Sequence, residues 1–115
     1  YISVDGGMSD NIRPSLYGAE YTTILANRTS SAAHTSSRLV GKHCETGDII
    51  IREIELPEDI VPGDLLAVPA TGAYGRSMAS NYNHVPRPSV VAVKDGKARV
   101  IVRRESIEDL LALDI

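Results

Sequence analysis

The chain has no phenylalanine, no tryptophan and a single cysteine in 115 residues. One cysteine cannot close a disulfide within the chain, so nothing here requires an oxidising compartment, and a reducing cytoplasm is the simpler expectation. Without Phe or Trp, the core must come from the thirty Ile, Leu and Val residues. Many of these are β-branched, which favours a β-rich domain. All five aromatic residues are tyrosines, so every ring carries a hydroxyl that can bond a ligand. There is no run of Lys or Arg to follow a phosphate backbone and the net charge is −3, which disfavours nucleic-acid binding. No apolar run reaches the roughly 18 residues of a membrane span, and no signal-peptide pattern is present. The length fits one domain but is short for a complete enzyme that holds a large cofactor. The start at Tyr1-Ile2-Ser3-Val4, without Met and in what reads as mid-strand, is that expected of a piece of a longer protein.

What is present reads mostly as short strands. Tyr1 to Asp5 ends at the turn signal Asp5-Gly6-Gly7, and Met8 to Gly18 is irregular. A second strand is expected over Glu20 to Asn27. Arg28 to Ser37 holds six Ser or Thr and no large apolar residue, and reads as an exposed loop. Strands resume at Arg38 to Lys42, at Asp48 to Leu56 with imperfect alternation that fits a bulge, and at Leu65 to Pro69. Val61-Pro62-Gly63-Asp64 suits a type II turn. Val90 to Lys94 and Lys97 to Arg103 flank Asp95-Gly96, a primed hairpin turn, and Ala98, Val100 and Val102 give the second strand one apolar face. Ser106 with Asp109 can cap a terminal helix whose Ile107, Leu110 and Leu111 share a face. The expected fold is mainly β: one domain over 1–115, an antiparallel Greek-key-like barrel or sandwich with a short C-terminal helix.

Three constellations carry chemistry. In His43-Cys44-Glu45-Thr46-Gly47-Asp48 a thiol adjoins a carboxylate; the two can address one ligand only if the chain turns, and Thr46-Gly47 supplies a turn. Cysteine can donate a proton or attack, and a carboxylate can hold an amino group. Taken alone, the pair also fits a small buried hydrophobe beside a surface acid. Arg13 stands four residues before Tyr17, with Pro14 restraining the backbone between them. A guanidinium forks onto a carboxylate and a phenol adds a third bond; an exposed Arg beside a packed Tyr is the simpler alternative. Thr71-Gly72-Ala73-Tyr74-Gly75 lets backbone N–H groups approach an anion, with a phenol at hand and a helix starting near Arg76, though such a loop is often only a tight turn. His34, His43 and His84 lack the close ligand pairing of zinc sites, so no metal is expected, and His34 and His84 are expected in solvent. Lys42, Lys94 and Lys97 offer no evident covalent anchor for a pyridoxal cofactor.

In order along the chain, Val4-Asp5-Gly6-Gly7-Met8-Ser9-Asp10-Asn11-Ile12-Arg13-Pro14, Cys44-Glu45-Thr46-Gly47-Asp48, Gly72-Ala73-Tyr74-Gly75 and Asn81-Tyr82-Asn83 closely resemble the C-terminal β domain of meso-diaminopimelate decarboxylases, most like the actinobacterial enzymes. These are alanine-racemase-like pyridoxal-phosphate decarboxylases. The resemblance implies a two-domain subunit whose TIM-like barrel, absent from this chain, carries the Schiff-base lysine. It also implies a head-to-tail homodimer with composite sites and conversion of meso-2,6-diaminopimelate to L-lysine and carbon dioxide. By resemblance, Arg13 and Tyr17 bind the retained substrate carboxylate. Cys44, the catalytic candidate, and Glu45, which holds an amino group, reach into the partner's site. Tyr74 lies against pyridoxal 5'-phosphate, contacting its phosphate, and is a candidate for binding substrate as well. Thr46 stands where many relatives have Ser, which keeps the hydroxyl. Relatives acting on ornithine or arginine share the fold, but Arg13 with Tyr17, and Glu rather than Asp after Cys44, favour diaminopimelate. A polyamine-type decarboxylase domain and a non-catalytic β-barrel binding module are the alternatives, and the isolated domain is expected to be inactive.

Overall fold

The computed structural model describes residues 1–115. Seven strands form three small sheets rather than one closed barrel. The first sheet is ordered β1 (Ile2–Ser3), β3 (His34–Val40), β4 (Ile49–Pro57). β3 and β4 run antiparallel, with Leu39 opposite Ile51 and Thr35 opposite Leu56, and the register shifts on either side of Leu39. The irregularity expected in this strand pair is therefore present. β1 pairs with β3 in parallel, Ile2 opposite Leu39, which departs from the all-antiparallel expectation. A parallel neighbour needs a long crossover, and the thirty residues between Ser3 and His34 provide it. The other sheets are two-stranded: β2 (Ile24–Leu25) with β5 (Leu66–Ala67), and β6 (Val90–Lys94) with β7 (Lys97–Val102).

The local turn chemistry follows the sequence closely. Asp95 and Gly96 both have positive φ, 51° and 70°, as a primed hairpin turn requires. Gly63 has φ 99° and Asp64 N–H donates to Val61 O at 3.1 Å, closing the turn after Pro62. Ser106 and Asp109 form a reciprocal capping box at the start of α3 (Ile107–Leu110).

Two expectations fail for physical reasons. The polar stretch 28–37 is strand from His34 onward: Thr35 and Ser36 pair with Leu56 and Glu55, and this end of β3, which β1 does not reach, accepts exposed hydroxyl side chains. The segment expected to be irregular contains α1 (Arg13–Tyr17). Pro14 lies in the first turn, where its missing N–H costs nothing. Gly18, in the left-handed region at φ 65°, closes the other end: its N–H donates to Pro14 O and that of Ala19 to Arg13 O. The second strand is also shorter than expected, Ile24–Leu25 against 20–27.

The buried apolar core is small: Leu39, Ile51 and Leu56. The hairpin's apolar face is open instead, with Val93 73% and Val100 58% exposed, and Ile107 of α3 and Leu111 just beyond it are exposed as well. Polar clamps therefore do much of the fixing. One is Asp48, buried just before β4, whose carboxylate accepts Met8 N–H at 2.6 Å and His43 N–H at 2.7 Å. A second joins the base of the hairpin to the segment 79–87. Arg87 Nη1 donates to Asn81 Oδ1 at 2.7 Å and Glu105 Oε1 at 2.8 Å, while Glu105 Oε2 accepts Arg87 N–H at 2.8 Å and Asn81 Nδ2 at 2.6 Å.

Glycine is demanded where Asp48 enters. A Cβ on Gly41 would overlap the Asp48 carboxylate, which its two backbone donors hold in place, whereas a Cβ on Gly6 would meet Asp10 at an ordinary 3.7 Å. Gly41→Ala is expected to destabilise the fold by about 1–3 kcal/mol and Gly6→Ala hardly at all, read as urea midpoints. Equal midpoints would contradict the clamp. Glu105 gives a pH signature. Its bonds from the Arg87 backbone, then from Asn81 and Arg87, hold its pKa at about 2, below the ordinary 4.5. A depressed carboxylate contributes stability that is complete above the unfolded value and is lost as pH falls through the folded one. Stability should thus decline between about pH 4.5 and 2, and Glu105→Gln should remove that part of the decline in acid titrations followed by circular dichroism.

Candidate functional site

Arg13 and Tyr17 sit at positions i and i+4 of α1, so they share one helix face. The sequence spacing alone did not require this, since the segment read as irregular. Asn11 Oδ1 accepts Arg13 N–H at 3.3 Å at the entry to the helix. The Arg13 guanidinium carbon lies 5.5 Å from the centre of the Tyr74 ring, within cation–π range. No acidic side chain pairs with Arg13, and the ring face spreads no hydrogen bonds over its five donors. A half-buried cation with free donors is suited to a ligand carboxylate. Tyr17 and Tyr74 are both largely exposed, and neither hydroxyl has a partner within the chain.

Tyr74 is carried by α2 (Gly72–Met78). This corrects the expectation of an open glycine loop with a helix starting near Arg76. The helix starts four residues earlier, and Gly75 N–H donates to Thr71 O at 3.1 Å, so it is not available to an anion. What remains at this place is the phenol of Tyr74. The far end of α2 is tied to the loop before α1, since Ser80 N–H donates to Ser9 O at 2.9 Å.

Cys44 and Glu45 occupy the tip of the connection between β3 and β4. The chain does turn there: Asp48 N–H donates to Glu45 O at 3.1 Å and Gly41 N–H to Asp48 O at 2.9 Å. Both Cys44 and Glu45 are exposed, which removes the alternative of a buried, packing cysteine. The tip packs on α1, for a Cβ on Gly47 would come 3.0 Å from Ser15 Oγ. His43 precedes them in the same turn. It is buried, its Nε2 is 2.8 Å from Ser9 Oγ, and its ring meets the edge of Tyr82 at 5.3 Å and 74°. His34 lies exposed on β3, and His84 is exposed in the 3₁₀ turn Tyr82–His84.

The five sequence-derived residues fall into two groups. Arg13, Tyr17 and Tyr74 form one, and Cys44 with Glu45 the other; no hydrogen bond, ion pair or ring contact joins them directly. Ser9 links their supports, through its carbonyl to α2 and its hydroxyl to His43. Tyr82 belongs to the second group without having been assigned a role from the sequence. Its hydroxyl donates to Glu45 Oε1, and that bond, aided by desolvation, raises the phenol's pKa. The signal available was an aromatic between two asparagines, Asn81-Tyr82-Asn83, whose partner lies 37 residues away. Asp48 was likewise visible only as the end of a motif.

Comparisons with known proteins identify the family. Residues 1–72 match the family described as pyridoxal-dependent decarboxylase, C-terminal sheet domain. The chain is 60% identical over its full 115 residues to diaminopimelate decarboxylase of Mycobacterium tuberculosis, of which it spans 26%. It superposes on diaminopimelate decarboxylase from Helicobacter pylori complexed with L-lysine with a TM-score of 0.88 and 42% identity, over 97% of this chain and 27% of that one. For the M. jannaschii enzyme in co-complex with L-lysine the TM-score is 0.89 at 37% identity, over 98% of this chain and 25% of that one. The chain thus spans about a quarter of the length of the relatives it matches. It belongs to the family of C-terminal sheet domains of pyridoxal-dependent decarboxylases.

Proposed function

We propose that this chain is the substrate-recognising β domain of a two-domain diaminopimelate decarboxylase, which releases carbon dioxide from the D-centre of meso-2,6-diaminopimelate and leaves L-lysine. The observation that carries the reading is the free Arg13 guanidinium, on one helix face with Tyr17 and against the Tyr74 ring. The relatives named diaminopimelate decarboxylases, two of them seen with L-lysine, support it.

The residues fit a peripheral part in holding pyridoxal 5'-phosphate. Tyr74 has an unpartnered, exposed hydroxyl that can donate to a phosphate oxygen. The lysines are placed elsewhere: Lys42 pairs with Asp10 at 3.5 Å, and Lys94 and Lys97 face each other across the hairpin turn. In this reading the anchoring lysine belongs to the barrel domain. When bound, the cofactor supplies the electron sink for the charge left by departing carbon dioxide.

This chain's residues do the rest by position. Arg13 forks onto the carboxylate that is retained, and Tyr17, one turn along the same face, donates a further bond. Glu45 takes an amino group with its free carboxylate oxygen. Cys44 Sγ, beside it at the tip, lies near the reacting carbon and can move a proton there. In this reading the enzyme is a cytoplasmic homodimer, the tip of one subunit completing the site of the other. No helix of the chain is long and apolar enough to cross a membrane.

Specificity follows from charge. Ornithine and arginine bring no second carboxylate, so Arg13 and Tyr17 would stay unpaired against them. Each charge-assisted bond contributes about 1.5–3 kcal/mol, and losing two costs on the order of 100-fold or more. In the full-length enzyme, carbon dioxide release should strongly prefer meso-diaminopimelate over ornithine and arginine offered side by side. Arg13→Ala should lower kcat/KM for diaminopimelate at least about 100-fold while cofactor absorbance and affinity stay near those of the unaltered enzyme. Preference for a diamine precursor, or equal loss of turnover and cofactor, would overturn the assignment.

A further inference from the structure

We propose that Tyr82 is the positioning residue for Glu45: its phenol holds one carboxylate oxygen and so aims the other at the amino group that Glu45 recognises. The proposal rests on the reading of Glu45 as an amine-binding residue. Glu45 is exposed at the tip of a turn, and a free glutamate there would sample many rotamers. Recognition of an ammonium in one direction needs a carboxylate fixed in one direction. Tyr82 provides the fixing, for its hydroxyl donates to Glu45 Oε1, and no other side chain bonds that carboxylate. Oε2 is left to a ligand.

The partner's chemistry matters as much as its place. Glu45 forms no ion pair in the chain. A Lys or Arg at the position of Tyr82 would orient the carboxylate but compete with a substrate ammonium for its charge. A phenol orients it and leaves the charge in place. The bond to Glu45 also raises the pKa of Tyr82, so the phenol remains a donor throughout the neutral range.

Tyr82 is itself braced from two directions. On one side its ring edge-packs on His43 at 5.3 Å, and His43 is held by Ser9 at 2.8 Å and, through its backbone, by Asp48 at 2.7 Å. On the other, Asn81 bonds Glu105 at 2.6 Å and Val85 O at 3.2 Å, and the next residues fold back sharply, with Asn83 and His84 at φ 56° and 54°. His43 and Glu45 come from the same turn, so Tyr82 docks on it at two points. The Asp48 clamp below and the Arg87–Glu105 clamp beside it thus converge on one hydroxyl.

The test uses the full-length enzyme and Tyr82→Phe, which keeps the ring and its contact with His43 and deletes only the hydroxyl. We expect KM for diaminopimelate to rise about tenfold with kcat within about twofold, and with thermal midpoint and cofactor absorbance unchanged. In a Glu45→Gln background the same change should add less than about twofold, because the orientation it loses no longer matters. An unchanged KM, or an equal rise in both backgrounds, would overturn the proposal and leave Tyr82 a packing residue. If the unaltered enzyme prefers ornithine or arginine, the diaminopimelate assignment fails on its own. The coupling between positions 82 and 45 is then read in KM for that amine, and stands or falls by the same two criteria.

Discussion

The carboxylate of Asp48 is the interaction on which the site depends. It is almost wholly buried, and a buried carboxylate is tolerated only if its oxygens are satisfied. Here the donors are backbone N–H groups from two distant places, Met8 before α1 and His43 after β3. One side chain therefore fixes the glycine-rich loop that leads to Arg13 and the turn that presents Cys44 and Glu45. The space it needs explains two glycines at once: a Cβ at Gly7 would come within 3.0 Å of its oxygen, and one at Gly41 would overlap it. From Met8 the chain passes to Ser9, which reaches both His43 and α2. Arg13, Tyr74, Tyr82 and the Cys44–Glu45 tip are thus supported by one polar scaffold rather than by separate patches of core.

That scaffold matters because the apolar core is slight. Only three large hydrophobic side chains are buried, while the hairpin, α3 and several tyrosines turn apolar surface outward. Burial alone would hold such a chain weakly. The clamps at Asp48 and at Arg87–Glu105 add specific geometry where hydrophobic packing is thin. In the proposed two-domain enzyme, the outward apolar faces are those that the barrel and the second subunit can cover, and the site residues lie exposed because the rest of the site comes from elsewhere.

Much of this was legible in the sequence. The Asp95-Gly96 hairpin, the Ser106–Asp109 capping box, the Pro62-Gly63 turn and the turn at Thr46-Gly47 are local chemistry, and local chemistry writes itself in a few adjacent residues. Six or seven short strands were expected and seven are present, although β3 begins at His34, inside the polar stretch. The parallel pairing of β1 with β3 did not, because the direction of a two-residue strand leaves no periodic trace. α1 was missed because five residues with a proline in the first turn carry no helical period, and α2 because its glycines mimic a loop. For the candidate site, Arg13, Tyr17, Cys44, Glu45 and Tyr74 are the residues that ordered motifs single out. The roles of Asp48 and Tyr82 depend on contacts 40 and 37 residues away in sequence, which spacing cannot reveal.

The central claim is that this β domain grips both ends of a diamino diacid, with Arg13 and Tyr17 on a carboxylate and Glu45 of the opposing subunit on an amino group. A crystal structure of the full-length enzyme with L-lysine bound tests it most directly. The account predicts the lysine carboxylate within about 3 Å of the Arg13 guanidinium, and an amino group within about 3 Å of Glu45. A lysine bound with Arg13 turned to solvent, or with Glu45 remote from every amino group, would contradict it.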